Sequence, residues 1–466
     1  MDYATLLHEI KSATVEHPLK TISFFQQPVN TELMKSILSL LNDVPLASNF
    51  RFSFYDCQVT DESLRPLLEF LTSANCPKEI NLSLSKNRIT HNSTTLLAKT
   101  LTNSVSSSIN INLDSNALLD ESIATFAQHF KPNKGLTRLW LNFGNNHLTV
   151  ESAAHLSQII ASTNSLSEFR LNVQSNTITD AGAKSIIDAM TPDMANNFNL
   201  CLASNDLSSE TTQHLLTKLR AFQGNQTIAL NLAQNNLGDT GFNHMLELLT
   251  AKTCRARFEH IYLSDCSITS DSIKPLATSI NDGLLPGSLC LDLQDNELNL
   301  SLQLLADALV SPDCPKNLML YMGSERNRQR DPEHHNPCLL DEAAVKQFID
   351  TFKAHSPAIG LYLNVGKSGS EEQREELKKL CRETALNAQR CANVWMGYCQ
   401  EKSQFEVLPP EIIAQVFSFV ASSAPKRPFS FFTMVTNGYN RIKKISDSSL
   451  SDTCTTEETS HTPSVS

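Results

Sequence analysis

Three groupings of side chains in this 466-residue chain are of types that do chemistry. Gly360-Leu-Tyr-Leu-Asn-Val-Gly366-Lys367-Ser368 resembles a phosphate-cradling loop. In such a loop, backbone N–H groups and a Lys hold phosphates while a Ser or Thr hydroxyl reaches the metal. The working spacing leaves four residues between the glycines; here five intervene, and Leu361 and Leu363 already carry a strand pattern. His334, His335 and Cys338 are metal-ligating types, but a fourth ligand and a rigid spacing are missing, so a polar surface loop over 326–338 is the expectation. Ser, His, Asp and 12 Cys supply nucleophiles and bases in quantity, yet a nucleophile needs its base beside it, and no triad follows from mere presence. The Cys are scattered with no C-x-x-C pair, which fits reduced thiols in a cytosol rather than a disulfide framework. No catalytic residue, metal ligand or cofactor is assigned from the sequence.

Composition removes further classes. Lys and Arg number 38 against 49 Asp and Glu, a net charge of −11. Nucleic-acid affinity rests on cations that neutralise phosphates, so an acidic chain is a poor candidate. No run reaches the roughly 18–20 apolar residues that span a bilayer. The first residues, MDYATLLHEIKSATVEH, lack the basic and apolar regions of a secretory signal. With 41% hydrophobic and 19% charged residues, the chain can bury a sizeable core.

A repeat positions that core. An apolar residue, a variable one and a second apolar one are followed by Asn or Cys three further on, as in Leu82-Ser-Leu84-Ser-Lys-Asn87 and Leu230-Asn-Leu232-Ala-Gln-Asn235. The second apolar position falls at Phe24, Phe54, Leu84, Leu113, Phe143, Val173, Leu202, Leu232, Leu263, Leu293, Met322 and Leu363. The intervals are 29 to 31 residues until the last, which is 41. The apolar-x-apolar phrase has period 2 and predicts a strand. Stretches such as Asp180-AGAKSIIDAM-Thr191 have helical spacing and open on an acid or hydroxyl that suits a helix N-terminus. One strand and one helix cannot bury their apolar sides alone, whereas stacked copies can.

The Asn column reads Gln27, Cys57, Asn87, Asn116, Asn146, Asn176, Asn205, Asn235, Cys266 and Asn296. An inward Asn can both accept from and donate to the backbone of neighbouring turns, so this column is expected to be a structural ladder. The pattern resembles the leucine-rich repeat family, in its ribonuclease-inhibitor-like class, over about residues 20 to 365. That resemblance implies an α/β horseshoe solenoid of about 12 repeats over 20–370, with parallel strands on the concave face and helices on the convex face. It also implies protein binding rather than catalysis. Some bacterial ubiquitin ligases with such repeats use a Cys-x-Asp motif in a separate helical domain. The match here, Cys290-Leu291-Asp292, sits inside a repeat strand, so Leu291 is expected in the core.

Strand residues between the apolar positions point out of the concave sheet. From Ser23 to Asn231 they are small and polar, and then come Tyr262, Asp292, Tyr321 and Tyr362. Trp140, Arg170 and His260 each precede an apolar pair. Aromatic and Arg side chains are the common anchors of interfaces, so these seven are the expected partner-binding residues.

The ends complete the plan. Residues 1–19 fit a capping helix with Leu6, Leu7 and Ile10 on one face, and 371–402 a long helix capping the other end. Within 403–445, a small helical unit, Leu408, Pro409, Ile412, Ile413, Val416 and Phe417 resemble the first half of an F-box. Val435 and Tyr439 match its last helix, where that family has Trp instead of Tyr. In that family the apolar face docks a ubiquitin-ligase adaptor while the repeats hold substrate. The Ser/Thr-rich tail 446–466, with Glu457-Glu458, reads as disordered and is similar to signals of type IV-secreted effectors of intracellular bacterial pathogens. The resemblance implies secretion into a host cytoplasm and a host protein as partner; otherwise a cytoplasmic location is expected.

Overall fold

The computed structural model describes residues 3–41, 44–324, 338–358 and 361–384. Its strands are β1 (Leu19–Phe25), β2 (Leu46–Tyr55), β3 (Glu79–Ser83), β4 (Ser108–Asn112), β5 (Arg138–Asn142) and β6 (Glu168–Asn172). They continue as β7 (Asn197–Cys201), β8 (Thr227–Asn231), β9 (Arg257–Tyr262), β10 (Leu289–Asp292), β11 (Leu318–Ser324) and β12 (Tyr362–Gly366). All twelve form one open parallel sheet in sequence order. A helix separates nearly every pair of strands, and consecutive helices pack on one another. Similar coils therefore stack as a solenoid around one elongated core. Leu84, Leu232 and Leu293 are at most 1% exposed, which places the second apolar position of the repeat in that core.

Each turn out of a strand solves the same backbone problem. The residue before the ladder position adopts the left-handed conformation in ten coils, from Gln26 to Asp295, with φ between 49° and 58°. None of these ten is Gly, so each turn carries a local cost of about 1 kcal/mol that its surroundings must offset. The ladder side chain does so. Asn146 Oδ1 accepts from Asn116 N and Leu118 N, both at 2.9 Å. Its Nδ2 donates to Phe143 O at 2.9 Å and Gly144 O at 2.8 Å, and to Leu113 O of the preceding coil at 3.2 Å. Asn87, Asn235 and Asn296 repeat this arrangement, whereas Asn116, Asn176 and Asn205 each accept from one N–H of the preceding coil instead of two. At Cys266 the thiol donates to Leu232 O at 3.3 Å but offers no matching acceptor. Burial pushes that thiol up to about 12, against the Asn235 backbone contact that favours the thiolate, so it stays protonated. Cys57 is buried in the same column and donates to Tyr55 O. Gln27, at the end of the column, is exposed.

The last coil corrects the spacing read from the sequence. Leu363 pairs with Leu320, and Tyr362 with Met319, so the second apolar position is Val365 rather than Leu363. Three residues on, Ser368 is fully buried and its Oγ accepts from Leu340 N at 3.0 Å, in place of a ladder Asn. The true last interval, from Met322 to Val365, is 365 − 322 = 43 residues. Gly366, at φ +60°, is required by close packing: a Cβ there would lie 2.5 Å from Ser324 O. Gly366→Ala should therefore cost about 1–3 kcal/mol in urea unfolding. Gly238→Ala, at the same φ but with nothing within 4 Å, should cost only the smaller backbone term of about 1 kcal/mol.

A second device has a period of two coils. Asp61, Asp120, Asp180 and Asp239 stand in the first turns of helices Asp61–Phe70, Asp120–His129, Thr179–Asp188 and Gly238–Thr250. Each reaches the start of the following helix. Asp120 accepts from Thr149 N and Thr149 Oγ1, both at 2.8 Å, and from Ser152 Oγ. Asp61 takes Thr90 and Ser93, Asp180 takes Ser208 and Thr211, and Asp239 takes Thr269 and Ser272. The intervals of 59, 60 and 59 residues pair the coils in twos.

At the ends, helix Tyr3–Ser12 buries Leu6 against the first coil, with Ile10 partly buried beside it. Residues 371–384 are helical and bury Leu377 and Cys381 against the last. His334, His335 and everything from 385 onward lie outside the described residues, as does the 326–338 insertion apart from Cys338.

Candidate interaction face

Parallel pairing in register aligns equivalent side chains into columns across the concave sheet. One column runs Asn110, Trp140, Arg170, Asn199, Ala229, His260, Cys290, Met319, Tyr362. The next runs Asn112, Asn142, Asn172, Cys201, Asn231, Tyr262, Asp292, Tyr321, Asn364. Six of the seven expected residues fall in the columns anticipated for them, and Tyr362 moves from the second to the first. It still meets Tyr321, ring to ring at 5.5 Å.

The expected residues form two walls. In the first, the Arg170 guanidinium lies over the Trp140 ring at 4.2 Å. Glu168 fixes both: its Oε1 accepts from Arg170 Nε at 2.6 Å and from Trp140 Nε1 at 3.2 Å. Glu168 was not anticipated, although period 2 puts it on the same face as Arg170. The second wall is His260 stacked on Tyr262, 6.1 Å apart and 5° from parallel. Burial raises the Tyr262 hydroxyl above its ordinary value; Cys290 and Asp292 add to this and Arg170 opposes it, so Tyr262 remains a donor. Burial likewise raises Tyr321 and Asp292, and for Asp292 it outweighs the hydrogen bond from Gln294 N.

Between the walls, β7 and β8 carry only small residues: Asn199, Cys201, Ala229 and Asn231. The outcome is a notch of about 290 Å³ that reaches from Trp140 and Arg170 to Tyr262. Three strand spacings separate β6 from β9, roughly 14 Å. Asn172 and Asn231 each accept from the backbone N–H two residues on through Oδ1, at 2.9 and 3.0 Å.

A separate aromatic contact lies at the other end of the sheet. Phe25 stacks on Tyr55 at 5.2 Å and 4°, and Lys86 Nζ sits 5.3 Å over the Tyr55 ring. The sequence reading missed it because these residues follow the second apolar position instead of lying between the pair.

Catalytic readings gain nothing from the geometry. Cys290 is 3% exposed in β10, and burial, with Asp292 adding, pushes its thiol up, away from a nucleophilic thiolate. Among the described residues no group of three His, Cys, Asp or Glu could hold a metal ion. The F-box-like residues Leu408, Pro409, Ile412, Ile413, Val416, Phe417, Val435 and Tyr439 lie outside the described residues.

Residues 170–186, from β6 into the next helix, match the family model described as Leucine Rich repeat. Twelve coils share the pattern that this match identifies. The fold is a leucine-rich repeat solenoid. No curated protein matches it. The leucine-rich repeat solenoid is an architecture of protein-interaction modules, and its usual partners are proteins. None of the described helices is long and apolar enough to cross a membrane.

Proposed function

We propose that this leucine-rich repeat protein is a non-enzymatic interaction module that grips a partner protein on its concave sheet. The observation that carries this is the pair of ordered aromatic walls, Trp140–Arg170–Glu168 and His260–Tyr262, on an otherwise small and polar face. Side chains already held in place lose less freedom on binding, and Trp, Tyr and Arg are the residues that most often dominate interface energy. The Asp292, Tyr321 and Tyr362 end extends the same surface.

The finer reading is a bacterial effector, secreted by a type IV route, whose partner is a host protein. It rests on the acidic Ser/Thr-rich tail and its resemblance to translocation signals. The second reading, an F-box-like adaptor that brings a substrate to a host ubiquitin ligase, rests on Leu408-Pro409 and the apolar residues after it.

One experiment separates them. Host lysate is passed over the full chain, over Trp140→Ala/Tyr262→Ala, and over Leu408→Ala/Pro409→Ala, with mass spectrometry of what is retained. The interaction reading expects the wall variant to lose its main partner about tenfold or more. Retention of every partner by that variant contradicts it. The adaptor reading expects cullin-complex components with wild type and their loss from the Leu408/Pro409 variant; their absence from wild type sinks it.

A further inference from the structure

We infer that the notch between β6 and β9 receives a carboxylate-bearing side chain, so that the partner presents an acidic peptide segment there. This rests on the reading above that the concave face is the docking surface.

The argument is one of unmatched donors and charge. Of the twelve residues that line the notch, Arg170 alone carries a formal charge, and none is Asp or Glu. Its nearest carboxylate, Glu168, is turned under it: the Glu168 side chain is 17% exposed while Arg170 is 49% exposed. Glu168 engages Nε, leaving the two terminal nitrogens of the guanidinium without an acceptor among the described residues. Trp140 covers one face of the guanidinium plane. A planar fork held this way matches a carboxylate edge-on with two parallel hydrogen bonds.

The floor has the same bias. Because the Oδ1 atom of Asn172 is occupied by a backbone N–H group, its Nδ2 is what remains to face a ligand, while Asn231, held in the same way, turns its amide toward the Cys201 thiol. Asn199, between Arg170 and Ala229 in the pairing, has no hydrogen-bond partner among the described residues and adds a further amide. On the far wall the Tyr262 hydroxyl stays protonated. Asp292 lies on β10 beyond Tyr262, four strand spacings or roughly 19 Å from the β6 position of Arg170. A lysine or arginine side chain entering the notch would meet a cation and a set of donors; an apolar one would strand them.

The test uses a displayed library of random twelve-residue peptides selected on the full chain, on Arg170→Gln and on Asn231→Trp. Arg170 is half exposed, so its replacement leaves the core intact, and circular dichroism checks that each variant is folded. Peptides selected by wild type should be enriched in Asp and Glu. The tightest of them should bind Arg170→Gln about ten- to a hundredfold more weakly. Asn231→Trp, which fills the notch, should also lose them. Failure to select any peptide, selection without acidic enrichment, or binding that survives Arg170→Gln would each overturn the inference. Non-acidic peptides lost only on Asn231→Trp would overturn the carboxylate while leaving the concave face as the docking surface. Peptides that bind all three proteins alike would remove both.

Discussion

Asn146→Ala should lower the free energy of unfolding by about 3–5 kcal/mol, measured by urea titration of the full chain. The side chain is 7% exposed and joins the backbones of two successive coils. Its loss strands the N–H groups of Asn116 and Leu118 and removes a donor from Leu113 O, Phe143 O and Gly144 O. A buried donor without a partner costs about 1–3 kcal/mol. The left-handed residue Asn145, at φ 49°, then lacks the bonds that hold the turn. Asn199→Ala is the control: it also removes an Asn side-chain amide, but one with no partner among the described residues, and should change stability by about 0.5 kcal/mol or less. Similar losses for the two would mean that the ladder does not support the coils.

The second large effect is on acid stability. Burial alone would raise the carboxyls of Asp61, Asp120, Asp180 and Asp239. Hydrogen bonds from the hydroxyls and N–H groups of the next helix outweigh burial, and all four are held below their ordinary value. A carboxyl whose folded value lies below its unfolded value stabilises the folded state wherever the unfolded one is also ionised. That contribution is present above the ordinary Asp value, about 3.9, and is lost as pH falls through it toward the lower folded value. The urea midpoint should therefore drop as pH is taken below about 4, and the four clasps should contribute together. Asp120→Asn should be about 1–2 kcal/mol less stable than wild type at pH 7. The gap should close as the pH falls, because protonation costs wild type the same interaction. A gap that stays constant with pH would show that the Asp120 charge is not what the clasp uses.

Most of the fold was readable because it depends on residues that recur at one spacing. Leu82 and Leu84 must be inward for any strand of period 2, and Asn87 three residues later has the donor and acceptor that a buried turn needs. The last coil was misplaced by two residues because Leu361-Tyr-Leu363 and Leu363-Asn-Val365 satisfy the same phrase. Its ladder position holds Ser368, whose hydroxyl accepts from Leu340 N without resembling Asn. The clasp was overlooked because its two halves, an acid and a hydroxyl pair, sit one coil apart and recur only every second coil. On the concave face, Trp140, Arg170 and Tyr262 stood out by type. The notch did not, because it is made by what Asn199, Cys201, Ala229 and Asn231 lack, and small residues announce nothing until register places them between large ones.

The central claim is that the concave sheet, not the helical side, meets the partner. A photo-crosslinking residue placed at position 199 samples the notch, and one at Gln213, exposed in helix Ser209–Leu219, samples the outer side. After irradiation in cell lysate, the account expects a discrete protein adduct from position 199 that Asn231→Trp abolishes, and none from position 213. A discrete adduct from position 213 with none from 199 would contradict it.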